Sequence, residues 1–196
     1  MFLLFMVLSG SAGLLAQKFP AIRYEDKTYE TNIKTVGIYP APNQLQDPAR
    51  TTYPPVISLD AGAPLIAEFD DLTARFRSFR YKIFHCNADW TPSNLNDIEF
   101  TYEYNDYAIN NYQASFNTKI PYFHYTLEVP KLKLSGNYVL AVYEDVRPAK
   151  LVLTRRFMMY QPRVNVFPQV RLSTGIAEQR THQQVDFDLE YRGYEI

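Results

Sequence analysis

Proline recurs along almost the whole chain, at positions 20, 40, 42, 48, 54, 55, 64, 92, 121, 130, 148, 162 and 168. Each proline lacks a backbone N–H and clashes with the preceding helical turn, so a chain punctuated this often leaves little room for helices. No interval between prolines carries a convincing helical period, and several carry a clean alternation instead. Phe79, Tyr81, Ile83 and His85 oppose Arg80, Lys82, Phe84 and Cys86, which describes a strand with one mostly apolar face. Phe123, Tyr125, Leu127 and Val129 alternate with Tyr122, His124, Thr126 and Glu128. Val139, Ala141 and Tyr143 alternate with Tyr138, Leu140 and Val142, a strand apolar on both faces and therefore central. Leu151, Leu153 and Phe157 share one parity, interrupted by Arg155, and Val185, Phe187 and Leu189 alternate with Asp186, Asp188 and Glu190. Weaker runs are Ile33–Tyr39, Val56–Leu59, Leu65–Phe69, Ile98–Tyr104 and Val164–Phe167.

Short strands about ten residues apart, separated by turn residues, predict an all-β fold: an antiparallel immunoglobulin-like β-sandwich. The segment Leu132-Lys133-Leu134-Ser135-Gly136-Asn137-Tyr138 leads into the central strand. A Tyr placed there would return its hydroxyl to upstream backbone, as in the corner that closes two sheets, with Gly136 and Asn137 supplying positive φ. An ordinary hairpin with an exposed Tyr is the competing reading. Pro162 and Pro168 follow the strand near Leu151–Met159 and mark an expected linker. The domain reading is thus a sandwich over residues 17–160, with residues 161–196 as a linker and the first strands of a second, truncated β domain.

Residues 1–16 (MFLLFMVLSGSAGLLA) carry no charge, and their apolar run matches a signal-peptide core rather than a membrane span of roughly 20 residues. The expectation is export, with cleavage after Ala16 or Ala12, and no transmembrane segment in the mature chain. With 20 Lys+Arg against 21 Asp+Glu the charge is balanced, which argues against the clustered basic face that nucleic-acid binding needs. One Cys excludes an intramolecular disulfide and a Cys-based metal site, while 16 Tyr and 13 Phe argue against disorder.

Chemistry is hard to find. The glycines after the leader, Gly37, Gly62, Gly136, Gly175 and Gly193, are scattered, so no phosphate-cradling loop forms. His85, His124 and His182 lack metal-ligand spacing. The densest polar cluster is His85-Cys86-Asn87-Ala88-Asp89-Trp90. A nucleophilic reading takes Cys86 with His124 as base and Asp89 orienting it, since His85 points to the opposite face of its strand. The blander reading makes Cys86 a small buried hydrophobe and Asn87–Trp90 a turn, with Trp90 covering the end of the core. Asp70, Asp89, Glu128 and Glu144 are available for paired-carboxylate catalysis, and Asp70, Asp71 and Asp89 for Ca²⁺, but no spacing selects a set. The stretch Phe100–Phe116 holds Tyr102, Tyr104, Tyr107 and Tyr112, which suit either a half-buried sheet or a protein interface. Tyr102, Tyr104 and Tyr107 would also suit a sugar-stacking platform, the alternative of a carbohydrate-binding module.

Several blocks taken in order resemble a known family. They are Ile33-Lys34-Thr35-Val36, Leu65–Phe69 with Asp70-Asp71-Leu72, and His85-Cys86-Asn87-Ala88-Asp89-Trp90. Asn111–Thr118, Tyr122–Tyr125, Leu134–Tyr138 and Arg155-Arg156-Phe157 complete the series. The order is similar to the N-terminal domain of the type IX secretion system plug proteins of Bacteroidetes. That resemblance implies a non-enzymatic protein with no cofactor and no metal, lying in the periplasm at the outer membrane. It implies a partner, the outer-membrane translocon barrel, whose periplasmic opening the plug closes, and a free plug that is monomeric. The motif positions Asp70, His85, Cys86, Asn87, Asp89, Trp90, Ser115, Asn117, His124, Gly136, Asn137 and Tyr138 are expected to be mainly structural. Tyr102, Tyr104, Tyr107 and Tyr112 are the candidate interface.

Overall fold

A computed structural model describes residues 20–41, 54–175 and 177–191. The leader at residues 1–16 lies outside the described residues. The strands are β1 (Lys27–Thr28), β2 (Ile33–Pro40), β3 (Val56–Ser58), β4 (Leu65–Asp71) and β5 (Phe79–Cys86). A one-turn helix α1 (Asp97–Phe100) follows, then β6 (Tyr107–Ala108), β7 (Asn111–Ala114), β8 (Phe123–Glu128), β9 (Gly136–Glu144) and β10 (Lys150–Tyr160). Last come β11 (Val164–Leu172) and β12 (Gln183–Tyr191), which among the described residues pair with each other alone. One sheet runs β1-β10-β9-β5-β6 with β3 also on β10; the other runs β2-β4-β8-β7.

Residues Tyr138 to Tyr143 of β9 are buried without a break, as expected of a central strand apolar on both faces. Antiparallel ladders to β5 and β10 satisfy its backbone on both sides. The outer edge of β10 is closed in sections. β1 pairs with Thr154 and Leu153, the Asp26 carboxylate accepts the Arg156 N–H at 2.7 Å, and β3 pairs with Met158–Tyr160. Short segments of this kind leave no long ladder for a foreign strand to join.

The two sheets meet over a single cluster of buried side chains drawn from both. Strand β4 shows the arithmetic: Leu65, Ala67, Phe69 and Asp71 turn inward while Ile66, Glu68 and Asp70 are half-buried on the other face. At the centre, Phe69 stacks on Tyr125 (centroids 5.1 Å apart) and meets Phe79 of the opposite sheet edge-on at 5.3 Å. Aromatic contacts of this geometry add to the burial term.

A charged cluster is embedded in this core. Arg77, 5% exposed, lies just before β5. Its guanidinium grips both carboxylate oxygens of Glu30 (2.9 and 3.1 Å) and both of Glu144 (3.0 and 2.6 Å). It also reaches Asp71 at 3.3 Å and covers the Phe79 ring at 4.9 Å. Asp71 takes a second bond from Asn32 (2.7 Å), and Glu30 is held from outside by Lys150 (2.8 Å). The Tyr125 hydroxyl accepts the Arg77 N–H (3.2 Å) and donates to the Arg77 carbonyl (2.8 Å). Desolvation is costly, so such a cluster persists only where nearly every donor and lone pair is used, as here.

Two expectations about local structure need correction. Ile98–Tyr104 is not a strand. Asn96 and Glu99 form a reciprocal capping box that starts α1 instead, with the Asn96 N–H donating to Glu99 at 2.6 Å. Pro168 does not sit in a linker but inside β11, opposite Phe187. A two-stranded ribbon has an open side where a missing N–H costs no ladder bond. The expected antiparallel all-β sandwich is what forms, with one short parallel pair added where β3 joins β10.

Replacing Arg77 by Met would strand three carboxylates, and we expect a loss of about 3–5 kcal/mol in urea unfolding. At Glu30, burial pushes the carboxyl up, but hydrogen bonds from Arg77 and Lys150 outweigh it and the net shift is down. At Glu144 the Arg77 hydrogen bond holds the carboxyl below its ordinary range. Both groups bind protons more readily when unfolded. Their stabilisation is therefore full above the unfolded value, about 4.3, and is lost as pH falls through the lower folded values. Urea midpoints measured from pH 6 down to 2.5 should fall below about pH 4.3 in the native chain, and fall much less in Arg77→Met.

Candidate functional site

Of the motif residues, one group gathers where the end of β5 pairs with the start of β9: His85 opposite Tyr138 and Cys86 opposite Asn137. The Tyr138 hydroxyl donates to the Leu134 carbonyl at 2.7 Å, four residues upstream, and the ring is fully buried on Phe157 and His85. Gly136 carries φ +154, and a Cβ there would lie 2.7 Å from His85 Nε2. Glycine is thus demanded twice, by backbone conformation and by close approach. Asn137 does not have positive φ; it instead donates to the Asn87 and Ala88 carbonyls, both at 3.2 Å. The His85 Nδ1 is buried with no hydrogen-bond partner among the described residues, and burial lowers the ring's pKa.

Beyond β5 the chain turns back on itself. The Asp89 carboxylate accepts the Thr91 N–H (3.0 Å) and hydroxyl (2.6 Å), and these bonds hold its pKa below the usual range. Asn87 donates to Thr91 Oγ1 and the Pro92 carbonyl. Trp90, at φ 66, does not close the end of the core. The Arg156 guanidinium stacks on its ring at 4.5 Å, and Arg156 alternates with the buried Phe157, so Trp90 lies over the sheet's outer face. Cys86 is buried on that same side, and burial pushes its thiol up to about 11.

The constellations that suggested chemistry are dispersed. Cys86 lies in the β9-containing sheet and His124 in the other. A nucleophilic Cys needs thiolate character, and a thiol raised this far has almost none at neutral pH. His124 packs against Asp70 (Nδ1 to Oδ1 2.7 Å) and Glu68 (3.8 Å) on the outer face of β8 and β4. Of the four carboxylates, Asp70 is held by His124, Asp89 by Thr91 and Glu144 by Arg77, while Glu128 is exposed. Asp70 and Asp71 face opposite sides of β4, and among the described residues no group of three His, Cys, Asp or Glu is arranged to hold a metal. No helix among them is long and apolar enough to cross a membrane.

The tyrosines part company. Tyr102 and Tyr107 border a depression of about 360 Å³ with Pro130 and Lys131, whereas Tyr104 borders another of about 300 Å³ with Arg80 and Asp106. Tyr107 is stacked on Tyr81 at 5.0 Å, so the three do not share one stacking platform. Tyr112 sits on β7 against Phe76 (4.7 Å) and near Phe123 (6.3 Å). Sequence reasoning passed over the residues beside it. Phe116 and Ile120 are strongly exposed on the turn joining β7 to β8, and Phe76 is half exposed. The signal was an apolar residue inside a Ser-Phe-Asn-Thr turn, where period-based reading looks for none. Ser115 and Asn117 belong to this same turn.

The family model for the type 9 secretion system plug protein 1st domain matches residues 33–161. A hypothetical protein from Parabacteroides merdae ATCC 43184 has a similar crystal structure, with a TM-score of 0.76 and 29% identity. The match covers 90% of this chain and 44% of that one, so the chain spans less than half the length of its neighbour. No curated protein matches the chain.

The corner residues should be structural and sharply graded. Tyr138→Phe removes one hydrogen bond and should cost about 1 kcal/mol. Gly136→Ala meets both the backbone conformation and the His85 ring and should cost more, about 2–3 kcal/mol. Equal, negligible effects of both in thermal unfolding would contradict this account of the corner.

Proposed function

Because the chain belongs to the type 9 secretion system plug protein family, carrying its first domain at residues 33–161, we propose that it is a non-enzymatic periplasmic plug. In this reading it binds the outer-membrane translocon barrel of the system and closes the barrel's periplasmic opening. The family match carries the reading. Two features of the molecule support it: a sandwich braced by a buried ion cluster, and an aromatic surface left outside the core. A closing body needs shape that does not yield, and groups outside its core able to meet a wall of mixed polarity. The distinctive nucleophile candidate is buried with a raised thiol pKa, which favours a binding role over catalysis.

The same reading takes residues 1–16 as the export signal and residues 161–196 as the start of a second β domain. The free protein is monomeric, since closing and opening require release without competing self-association.

The test is genetic and biochemical together. Deleting the gene should sensitise cells to large antibiotics such as vancomycin, and the tagged protein should co-purify with the translocon barrel. Unchanged permeability combined with no barrel in the pull-down would refute the plug.

A further inference from the structure

The turn between β7 and β8 is the most conspicuous apolar projection of the sandwich. Phe116 is 94% exposed and Ile120 59% exposed. Exposed side chains on a turn are ordinarily mobile, yet this turn is tied internally. The Ser115 N–H donates to the Tyr122 carbonyl at 2.8 Å, and the Tyr122 N–H donates back to Ser115 Oγ at 2.9 Å. Thr118 Oγ1 lies 3.0 Å from Ser115 Oγ and 2.9 Å from the Ile120 carbonyl oxygen. Asn117 adopts φ 53, a left-handed conformation that Asn tolerates better than most residues. The Ser115 and Thr118 side chains are therefore turned in on the turn, and Phe116 and Ile120 are left to the solvent.

The root of the turn is equally fixed. Phe123, the first residue of β8, pairs with Ala114, the last of β7, and its ring lies 6.2 Å from Phe76. Phe76 and Tyr112, in contact at 4.7 Å, are 51% and 45% exposed. Strand β7 is exposed along its whole length and pairs on one side with β8. Apolar side chains held outward by a pre-formed turn lose little entropy on docking and are the usual anchors of a protein interface.

We propose that this hairpin tip is the anchor by which the plug engages its translocon, with Phe116 and Ile120 entering an apolar pocket on the barrel protein. The assignment rests on the plug reading and adds to it the contacting surface. A protein pocket suits the tip better than a lipid surface. The turn carries a single basic residue, Lys119, whereas attachment to an anionic bilayer draws on several, together with a broad apolar face. The flanking Asn111, Gln113 and Asn117 supply hydrogen-bonding groups for the rim of such a pocket.

The experiment places a benzophenone amino acid at 116, at 120 and, as a control, at the exposed Val146 in the full-length protein expressed in its own cells. After irradiation, a covalent adduct to the translocon barrel is expected from 116 and 120 and not from 146. In parallel, Phe116→Ala and Ile120→Ala should each recover about tenfold less barrel in a pull-down, with an unchanged thermal midpoint. A barrel adduct from 146 alone, or undiminished recovery by both variants, overturns the tip assignment while leaving the plug intact. Loss of every adduct together with no barrel recovered by the native protein sinks the plug reading itself. Purified protein is also floated with phosphatidylethanolamine–phosphatidylglycerol vesicles. Binding that depends on Phe116 there, without a barrel adduct, assigns the tip to the membrane and overturns the proposal.

Discussion

The buried guanidinium of Arg77 is the interaction on which the sandwich most depends. Its carboxylate partners come from separate parts of the chain: Glu30 precedes β2, Asp71 ends β4 and Glu144 ends β9. One side chain thus joins the last residue of a strand in each sheet to the segment that enters the fold. Hydrophobic burial would accept many small displacements of one sheet across the other. A bidentate pair to Glu30 and another to Glu144 accept few, because planar donors must face planar acceptors. The Tyr125 hydroxyl extends the constraint by pinning the backbone of Arg77 itself, and the ring below it is part of the central aromatic stack. Position, more than net energy, is what a cluster of this kind contributes, since desolvation offsets much of its attraction.

The corner near Tyr138 does related work by different means. There the restraint is steric: a glycine beneath an imidazole, an aromatic ring against another and a single hydroxyl bond across four residues. The His85 Nδ1 has no hydrogen-bond partner among the described residues and burial lowers the ring's pKa, so the ring acts as a flat packing element. Burial disfavours its charged form. The group therefore binds fewer protons folded than unfolded, and its presence favours the folded state less as pH falls below the ordinary histidine value. Residues with reactive side chains are here used for shape, which is why a cluster rich in His, Cys and Asp misleads a search for catalysis.

How much of this could be read in advance follows from what periodicity encodes. Alternation located β5, β8, β9 and β10, and it identified β9 as central because both of its parities are apolar. The corner was legible because Gly136 and Tyr138 have restrictive requirements. Arg77 was not, since a charged residue between strands looks like an exposed turn, and only the three-dimensional meeting of Glu30, Asp71 and Glu144 explains it. Helix α1 hid behind a Tyr-rich run, although Asn96 and Glu99 carry its start signal. In β12, alternation marked Val185, Phe187 and Leu189 as one face, but that face is 57%, 61% and 42% exposed. A period says which residues share a face and not what covers it. The tip residues Phe116 and Ile120 were invisible for the opposite reason, as apolar residues belonging to no period at all.

On the plug reading proposed above, a closing body has to bind and also let go, and the exposed surface sets the scale of that balance. Full burial of a Phe or Ile side chain contributes about 1.5–3 kcal/mol each. Two anchors at the tip would therefore supply about 3–6 kcal/mol, while bringing two bodies together costs about 4–15 kcal/mol in lost freedom. The tip alone cannot hold a complex, and Phe76 and Tyr112, already packed on each other, have less area left to contribute. Lasting closure then needs polar contacts spread around the anchors, each weak and each exchangeable with water. An attachment built from a small apolar anchor and a wide polar margin is held by the sum of many contacts and released when a competing partner removes a few. The rigidity of the sandwich matters for this reason, because a body that deformed would lose the alignment of those weak contacts first.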